Sequence, residues 1–230
     1  MTDAKQSVGP SLDWQPVAPP ARTPITGTYV TLEPIDPAGH AESLYAAKGD
    51  DPALWTYMPA GPFNDFATFQ SWLESCKTPD DPLCFALVDK ADGKAKGMAS
   101  FMRITPDHGV IETGAIWFGP EIQRTRIATE AIYLQARHAF EDLGYRRFEW
   151  KCDHFNAPSR RAAARFGFTY EGIFRQHIVY KGRSRDTAWF AMMDHEWPEI
   201  RAAFDAWLAP ENFDSDGSQK TPLQASRDPA

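Results

Sequence analysis

Residues 116–131 of the 230-residue chain read Ile-Trp-Phe-Gly-Pro-Glu-Ile-Gln-Arg-Thr-Arg-Ile-Ala-Thr-Glu-Ala. An apolar run ends at Gly119-Pro120 and gives way to a pattern with the period of a helix, which predicts a buried strand that turns directly into a helix. The first N–H groups of a helix have no intrahelical acceptor, and the helix dipole makes that end positive. Two arginines and two threonines accompany these groups, so the stretch suits a diphosphate. The alternative is an exposed first turn that tolerates any polar residue.

Apolar and turn patterns on both sides predict the rest of the fold. The predicted strands cover residues 28–33, 84–88, 97–104, 110–118, 147–152, 168–179 and 187–193. The predicted helices cover residues 38–49, 65–77 with Asn64 as the cap, 124–143, 158–166 and 198–208. Strands in direct succession imply antiparallel pairing, and the strand–helix–strand unit over residues 110–152 implies a parallel crossover. The predicted fold class is therefore α/β (α+β), with a mixed, mostly antiparallel sheet and helices on both faces.

The two ends of the chain differ in composition from its middle. Residues 1–22 are rich in Pro, Ser, Gln and Ala and are predicted to form a flexible N-terminal arm, with Leu12, Trp14 and Val17 as anchors. Residues 211–230 have few apolar side chains and are predicted to be a disordered C-terminal tail. Between them, residues 23–210 are long enough for one domain and short for two.

Composition argues against several classes of protein. The chain is 43% hydrophobic and 24% charged, which is ordinary for a globular protein. It has no apolar stretch long enough to span a membrane, and its N-terminus lacks the basic start and apolar run of a secretory signal. Its three cysteines show no Cys-x-x-Cys spacing, so neither a disulfide framework nor a structural zinc site is expected. We expect a cytoplasmic protein without a metal.

The formal net charge of −7 disfavours a general nucleic-acid binder. The charge is unevenly distributed, because residues 121–185 hold 13 Lys and Arg against 7 Asp and Glu, whereas the rest holds 11 against 24. A basic region in an acidic chain indicates attraction to a compact anion, although a helix with a solvated basic face gives the same balance. Neither Gly-x-x-x-x-Gly-Lys-Ser/Thr nor Gly-x-Gly-x-x-Gly occurs at the strand–helix turn, which argues against both common nucleotide-binding loops there.

Three short stretches in the second half of the chain carry recognisable motifs. Residues 123–128 read Gln-Arg-Thr-Arg-Ile-Ala, residues 156–161 read Asn-Ala-Pro-Ser-Arg-Arg, and residues 166–172 read Phe-Gly-Phe-Thr-Tyr-Glu-Gly. The first resembles the Gln/Arg-x-x-Gly-x-Gly/Ala motif of the GNAT superfamily of acetyl-CoA-dependent N-acetyltransferases. The others resemble the Asn-x-x-Ser and Gly-Phe-x-x-Glu-Gly signatures of its Rim-type members, which acetylate N-terminal amines of ribosomal proteins. The resemblance covers residues 28–197. Two departures are Arg126, which replaces the motif glycine, and Ala163, which stands where some members have a tyrosine general acid.

The resemblance implies acetyl-CoA as co-substrate, held in a V-shaped splay between parallel strands over residues 110–118 and 147–152. Pantetheine would bond to the main chain of Ile116 and Phe118 like an added strand, and the diphosphate would lie on N–H groups at the start of the helix. The implied cofactor-binding residues are Ile116, Trp117, Phe118, Gln123, Arg124, Thr125, Arg126, Ile127, Ala128, Thr129, Asn156, Ser159 and Arg160.

The implied reaction is attack of a neutral amine on a thioester, which needs a base, a donor to the oxyanion and an acid for the thiolate. Glu112 is the leading base because its strand borders the thioester, and Glu171 is the second candidate. The structural alternatives are a solvated carboxylate for Glu112 and an ion-pair partner of nearby arginines for Glu171. Ser159 fits the thiolate acid and Asn156 a partner of the pantetheine arm, although both could simply cap the following helix.

The predicted function is acetyl transfer from acetyl-CoA to a primary amine, on a protein or peptide N-terminus or a small molecule, by direct attack in a ternary complex. The alternative is a catalytically weak CoA-binding sensor or interaction module, since the family glycine and tyrosine are both replaced. The expected partners are the CoA thioester and the amine acceptor, without membrane or direct nucleic-acid contact. A homodimer is compatible with the sequence.

Overall fold

A computed structural model describes residues 6–225, which form one mixed sheet with helices on both faces. The strands are β1 (Ile25–Thr26), β2 (Val30–Pro34), β3 (Leu83–Asp89), β4 (Ala95–Thr105), β5 (Val110–Phe118), β6 (Arg147–Asp153), β7 (Thr169–Tyr180) and β8 (Arg183–Met193). The helices are α1 (Pro37–Ala47), α2 (Phe66–Lys77), α3 (Arg126–Arg137), α4 (Ala157–Arg165) and α5 (Trp197–Leu208). Within residues 6–225, none of these helices combines the length and apolar content that a membrane crossing requires.

The strand order in the sheet is β1-β2-β3-β4-β5-β6-β8-β7, and every neighbouring pair except one is antiparallel. The exception is the pair β5–β6, which α3 connects, so the predicted mixed sheet and its parallel crossover are confirmed. These two strands pair only from Val110↔Arg147 to Thr113↔Trp150. Beyond that point β5 pairs with β4 alone and β6 with β8 alone. The parallel strands therefore diverge, as the resemblance implied.

Side-chain alternation divides the core between the two faces of the sheet. In β3, Phe85 and Leu87 pack on the face covered by α3 and α5, whereas Cys84, Ala86 and Val88 pack on the face covered by α1 and α2. All seven residues of β3 are buried. A strand buried on both faces carries a nearly continuous apolar run, here residues 83–88, which is why this segment lacks the alternation of a half-exposed strand.

Glu130 of α3 joins the helix to the far part of the sheet. Its carboxylate accepts hydrogen bonds from the main-chain N–H groups of Thr28 (2.7 Å), Tyr29 (2.6 Å) and Val30 (2.9 Å). The residue is only 3% exposed. Three donors on one buried carboxylate fix the turn before β2 against the first half of α3, and so fix where that helix lies.

Several element boundaries differ from those predicted. Asp65, not Asn64, caps α2, because its side chain accepts from the N–H of Thr68 at 2.8 Å. The helix predicted over residues 124–143 begins at Arg126, since Thr125 is extended and Arg124 is left-handed (φ +63°). It continues beyond Arg137 as a π-helical turn over His138–Asp142. Strand β1 was not predicted because two residues carry no recognisable period.

The described part of the N-terminal arm, residues 6–22, lies against the domain through Trp14, Val17 and Arg22, the last of which donates to the carbonyl of Pro79 (2.6 Å). Trp14 donates from its indole N–H to the carbonyl of Asp107 (2.8 Å), and the N–H of Val17 donates to the carbonyl of Pro106 (3.3 Å). Trp14 and Val17 are two of the three anchors that the sequence indicated. Residues 1–5 lie outside the described part of the chain.

The C-terminal segment differs from the disordered tail expected for residues 211–230. Phe213, Leu223 and Ala225 are buried in the core beside α3 and α5. Asn212 donates to the carbonyl of Thr221 (3.1 Å) and accepts from its N–H (2.9 Å), which closes the segment into a loop. A few well-spaced apolar side chains anchor it, and average composition does not reveal their spacing. Residues 226–230 lie outside the described region.

We expect Glu130→Gln to lower the free energy of unfolding by about 2–4 kcal/mol, because the amide loses the charge and offers one oxygen to three buried donors. Urea unfolding followed by tryptophan fluorescence measures this. Glu42→Gln, on the exposed face of α1, is the matched control and should change stability by less than about 0.5 kcal/mol. Equal effects of the two substitutions would show that the carboxylate of Glu130 does not hold β2.

Candidate functional site

The splay exposes main chain along one edge of β5. Residues 114–118 pair with β4 on one side and have no strand partner on the other in the described part of the chain. The pairing with β4 shifts by one residue between Ser100↔Gly114 and Met98↔Trp117, and Ala115 there has a left-handed backbone (φ +48°). Such a bulge bends the strand and increases its local twist. This opening can accept an extended ligand as an additional strand.

The side chains of the predicted pantetheine site point away from this edge. Ile116 and Phe118 pack with the core on the α3 side, whereas Trp117 packs on the other face, with its ring 5.6 Å from that of Trp55. Ligand contact with these three residues would therefore be made by their main-chain groups.

A tight turn leads from β5 to α3. The N–H of Gly119 donates to the carbonyl of Lys96 (2.9 Å), and a Cβ at this glycine would lie 2.4 Å from the carbonyl oxygen of Ala47. The side-chain amide of Gln123 donates to the carbonyl of Phe118 (3.0 Å), which folds the turn back on the strand. Only glycine permits this close approach, so Gly119 fixes the position of the residues that follow.

Lys96 anchors the same turn electrostatically. Its buried ammonium lies 2.9 Å from Asp89, 3.0 Å from Asp92 and 2.9 Å from Glu121 in the turn. Burial alone lowers the pKa of Lys96, but hydrogen bonds to Glu121, Asp89 and Asp92 outweigh it and raise that pKa above its ordinary value. The lysine stays charged and holds Glu121 in place.

The N-terminus of α3 has free main-chain donors. Its first main-chain bond runs from the N–H of Thr129 to the carbonyl of Thr125 (3.2 Å), and Thr125 makes no side-chain cap. The N–H groups of residues 126–128 therefore have no acceptor within the described region. The hydroxyls of Thr125 and Thr129 instead donate to the carbonyls of Ile122 (2.7 Å) and Thr125 (3.1 Å). Main-chain groups together with Arg124, and not the threonines, fit a diphosphate here.

Glu112 lies on β5 just before the splay, and its two carboxylate oxygens differ. Oε2 lies 2.8 Å from Nζ of Lys151 and 2.9 Å from Nε of Arg103. No hydrogen bond involves Oε1 among the described residues, and a Cβ on Gly114 would lie 3.2 Å from it. Glu112 is 3% exposed, and burial raises its pKa although Lys151 and Arg103 lower it. One oxygen is held and the other remains open beside the first residue of the splay.

A chain of ion pairs extends from Lys151 to the edge of the sheet. Lys151 also pairs with Glu149 (2.5 Å), and Glu149 pairs with Arg147 (2.7 Å). Both terminal nitrogens of Arg147 bind the carboxylate of Glu171, and these hydrogen bonds lower the pKa of Glu171. Glu171 is therefore an ion-pair partner of an arginine, which was the structural alternative to its role as a base, and it lies apart from Glu112.

The start of α4 brings Asn156 and Ser159 to the carboxyl end of β6. The side-chain oxygen of Asn156 accepts from the N–H of Ser159 (3.1 Å), which caps the helix. The hydroxyl of Ser159 accepts from the indole N–H of Trp150 (3.0 Å), which leaves its own proton to donate. The buried thiol of Cys152 is within hydrogen-bond reach of the same hydroxyl: burial raises the pKa of Cys152, and this hydrogen bond lowers it. Arg160 lies near the ring of Tyr170 (5.8 Å), and its Nε is buried without a partner in the described structure.

Sequence reasoning missed Arg103 and Lys151, which contact Glu112 from different strands, and Arg165, which donates to Thr129 (3.2 Å). No short motif links these residues, because sheet pairing and helix packing bring them together. Cys152 is buried as a free thiol, as expected from its strand position. Among residues 6–225, no group of three or more His, Cys, Asp or Glu side chains could hold a metal ion.

On the face of the sheet opposite α3, hydrogen bonds connect the segment between α1 and α2 to other loops. Tyr57 donates to the carbonyl of Phe155 (3.1 Å), and the ammonium of Lys181 donates to the carbonyls of Trp55 (2.8 Å) and Ala60 (3.1 Å). These bonds join the segment between α1 and α2 to the connection between β6 and α4, through Phe155, and to the turn of the β7–β8 hairpin, through Lys181.

The model of the acetyltransferase (GNAT) domain family matches residues 30–169. A GCN5-related N-acetyltransferase from Brucella melitensis is 50% identical, with a TM-score of 0.90 over 92% of this chain and 97% of that one. A GNAT-family structure from Chromobacterium violaceum is 38% identical, with a TM-score of 0.77 over 84% and 99%. The provisionally named ribosomal N-acetyltransferase YdaF of Bacillus subtilis is 28% identical over 106 residues, which are 46% of this chain and 57% of that protein. Residues 30–169, which the family model matches, include the splay, α3 and the start of α4.

We expect Gly119→Ala to weaken coenzyme A binding roughly tenfold and to lower the free energy of unfolding by about 1–3 kcal/mol. The added Cβ would lie 2.4 Å from the carbonyl oxygen of Ala47 and 2.8 Å from that of Lys96, so the turn before α3 must move. Calorimetric titration with coenzyme A and urea unfolding measure the two effects. The control is Gly9→Ala, where a Cβ meets open space. Unchanged affinity in Gly119→Ala would mean that this turn does not position the phosphate site.

Proposed function

The chain belongs to the GNAT family of acetyltransferases, and from that premise we propose that it transfers the acetyl group of acetyl-CoA directly to a primary amine in a ternary complex. The family makes it an acyltransferase with acetyl-CoA as co-substrate. The proposed acceptor is the N-terminal amine of a protein or peptide, or an amine on a small molecule. The similarity to the provisionally named ribosomal enzyme YdaF supports the first of these classes.

The residues present fit the co-substrate. Free N–H groups of residues 126–128 and the nearby Arg124 suit the diphosphate, and the unpaired edge of β5 suits the amides of pantetheine. The amide nitrogen of Asn156 is free to donate to the same arm, since its oxygen already caps α4. Bound in this way, the thioester would lie where β5 and β6 separate, next to Gly114.

The open oxygen of Glu112 is the observation that carries the proposed mechanism. An acceptor amine enters as an ammonium and must lose a proton before it attacks. Oε1 of Glu112 can take that proton, directly or through one water, while Lys151 and Arg103 hold Oε2. Burial raises the pKa of Glu112, which makes it a stronger base than an exposed carboxylate.

The remaining steps use the main chain and Ser159. The neutral amine attacks the thioester carbonyl, and an N–H on the unpaired edge of β5 beside that carbonyl stabilises the resulting oxyanion. The C–S bond then breaks as the amide forms. The hydroxyl of Ser159 can donate its proton to the departing thiolate, because the indole N–H of Trp150 occupies its oxygen and strengthens it as a donor. The second amine proton, released as the amide forms, restores the hydroxyl of Ser159 directly or through water, and Glu112 returns its proton to solvent.

A CoA-binding sensor without turnover is the alternative outcome. Release of free thiol from acetyl-CoA in the presence of a panel of primary amines and N-terminal peptides tests the proposed function. Coenzyme A binding without thiol release for any amine would favour the sensor instead. The cytoplasmic location, the absence of nucleic-acid contact and the homodimer stay predictions from the sequence.

Glu112→Gln should reduce kcat/KM about 10²–10⁴-fold, the usual contribution of a general base, with little change in coenzyme A affinity. Steady-state thiol release and calorimetry measure the two quantities. If Glu171→Gln caused the large loss and Glu112→Gln did not, the base would be assigned to the wrong carboxylate.

The acidic limb of the kcat/KM profile should move to higher pH in Arg103→Gln. Arg103 lowers the pKa of Glu112, and without that cation burial acts with less opposition, so the carboxyl keeps its proton to a higher pH. Since Glu112 acts as a base only when it is ionised, kcat/KM of the variant should rise at a higher pH than kcat/KM of the wild type. Arg103 is 48% exposed through its side chain, so the fold should persist. An acidic limb at the same pH in Arg103→Gln and in wild type would contradict the assignment of Glu112 as the base.

A further inference from the structure

Two arginines beside the start of α3 are supported by aromatic rings. The guanidinium carbon of Arg126 lies 4.5 Å from the ring centre of Tyr29 and 5.5 Å from that of Phe213. The guanidinium carbon of Arg165, at the end of α4, lies 5.0 Å from the ring of Trp207 and 5.2 Å from that of Phe166. Both side chains are half-buried. Stacking engages the faces of a guanidinium and leaves the N–H groups at its edge available.

Contacts on two sides place Arg126 and Arg165 next to each other. Trp207 and Phe213 pack edge to face with ring centres 5.0 Å apart, so the ring under one arginine touches the ring under the other. On the other side, Arg165 donates to the hydroxyl of Thr129 (3.2 Å), which lies one helical turn from Arg126. Two fixed cations therefore share one small region at the N-terminus of α3.

Within residues 6–225, neither of these cations has a carboxylate partner. Neither Arg126 nor Arg165 has an acidic side chain within 4.0 Å among the described residues. Glu130, the nearest acid along α3, is occupied by the N–H groups of residues 28–30. Asp214, next to Phe213, lies 3.8 Å from Lys220. Burial lowers the pKa of Arg165, as expected where no anion compensates its charge. Two uncompensated guanidinium groups suit a doubly charged anion.

We propose that Arg126 and Arg165 form a clamp for the 3′-phosphate of coenzyme A, assembled by the C-terminal segment over residues 210–225. The proposal rests on coenzyme A as the ligand of the proposed function. The main-chain donors of α3 serve the diphosphate, and the 3′-phosphate is the remaining dianion of the molecule. The arginine that replaces the motif glycine thereby gains a binding role, with its side chain turned towards the tail and its N–H left free.

The C-terminal segment is required because it supplies one wall of the clamp. Phe213 covers Arg126, and Gln219 accepts from the indole N–H of Trp207 (2.8 Å). The side chain of Asn212 donates to the carbonyl of Trp207 (3.0 Å). The segment therefore fixes two of the four supporting rings, Phe213 and Trp207, and its order is coupled to the affinity of the clamp for its anion.

The test compares calorimetric binding of coenzyme A and 3′-dephospho-coenzyme A by the full chain. Wild type should bind coenzyme A roughly tenfold or more tightly, the expected scale for charge-assisted hydrogen bonds. In Arg165→Gln and Arg126→Gln this ratio should fall towards one through weaker coenzyme A binding, with dephospho-coenzyme A unaffected. Phe213→Ala should reduce the ratio in the same way without any change of charge.

Arg137→Gln is the matched control, since Arg137 also lies over a ring (Tyr133, 5.6 Å) without an ion pair in the described structure, but at the far end of α3. Its ratio should equal that of wild type. Because the ratio compares two ligands on one sample, partial misfolding of a variant does not alter it.

Equal binding of both ligands by wild type would overturn the clamp and leave the proposed function standing, whereas binding of neither would overturn the function itself. Equal loss of both ligands in the arginine variants would assign these residues to the diphosphate or the fold and reject the clamp.

Discussion

The early end of the pairing between β5 and β6 is the constraint on which the site depends. Four residue pairs hold the strands together, and each strand then continues with a different partner. An unpaired strand edge inside a sheet is costly unless something else satisfies its hydrogen-bonding groups. Here the edge lies between a tight turn, an uncapped helix and Glu112, so one extended ligand can satisfy all three regions at once.

The surrounding structure maintains this opening through charge as well as packing. Lys96 holds the turn before α3, Glu130 holds the helix against β2, and Lys151 links Glu112 to the ion pairs of β6. These groups are buried, and a buried charge without its partner is strongly destabilising. The positions of the proposed base and of the phosphate donors are therefore tied to the stability of the domain.

The strand–turn–helix over residues 116–131 could be predicted because its signals are local. An apolar run, Gly119-Pro120 and a helical period lie within sixteen consecutive residues. The splay could not be derived from periodicity and came from the resemblance to a family. Arg103 and Lys151 gave no sequence signal, since only the pairing of β4, β5 and β6 brings them to Glu112. The C-terminal segment was misjudged for the same reason, because Phe213 and Leu223 bury against side chains distant in sequence.

Hydrogen–deuterium exchange with and without saturating acetyl-CoA tests most directly whether the splay and the start of α3 hold the co-substrate, because it reports the main-chain groups themselves. We expect the ligand to slow exchange at the amides of residues 126–128 and along residues 114–118, with smaller effects in β2 and β3. Saturation without protection at either stretch would contradict it and would place the co-substrate elsewhere on the domain.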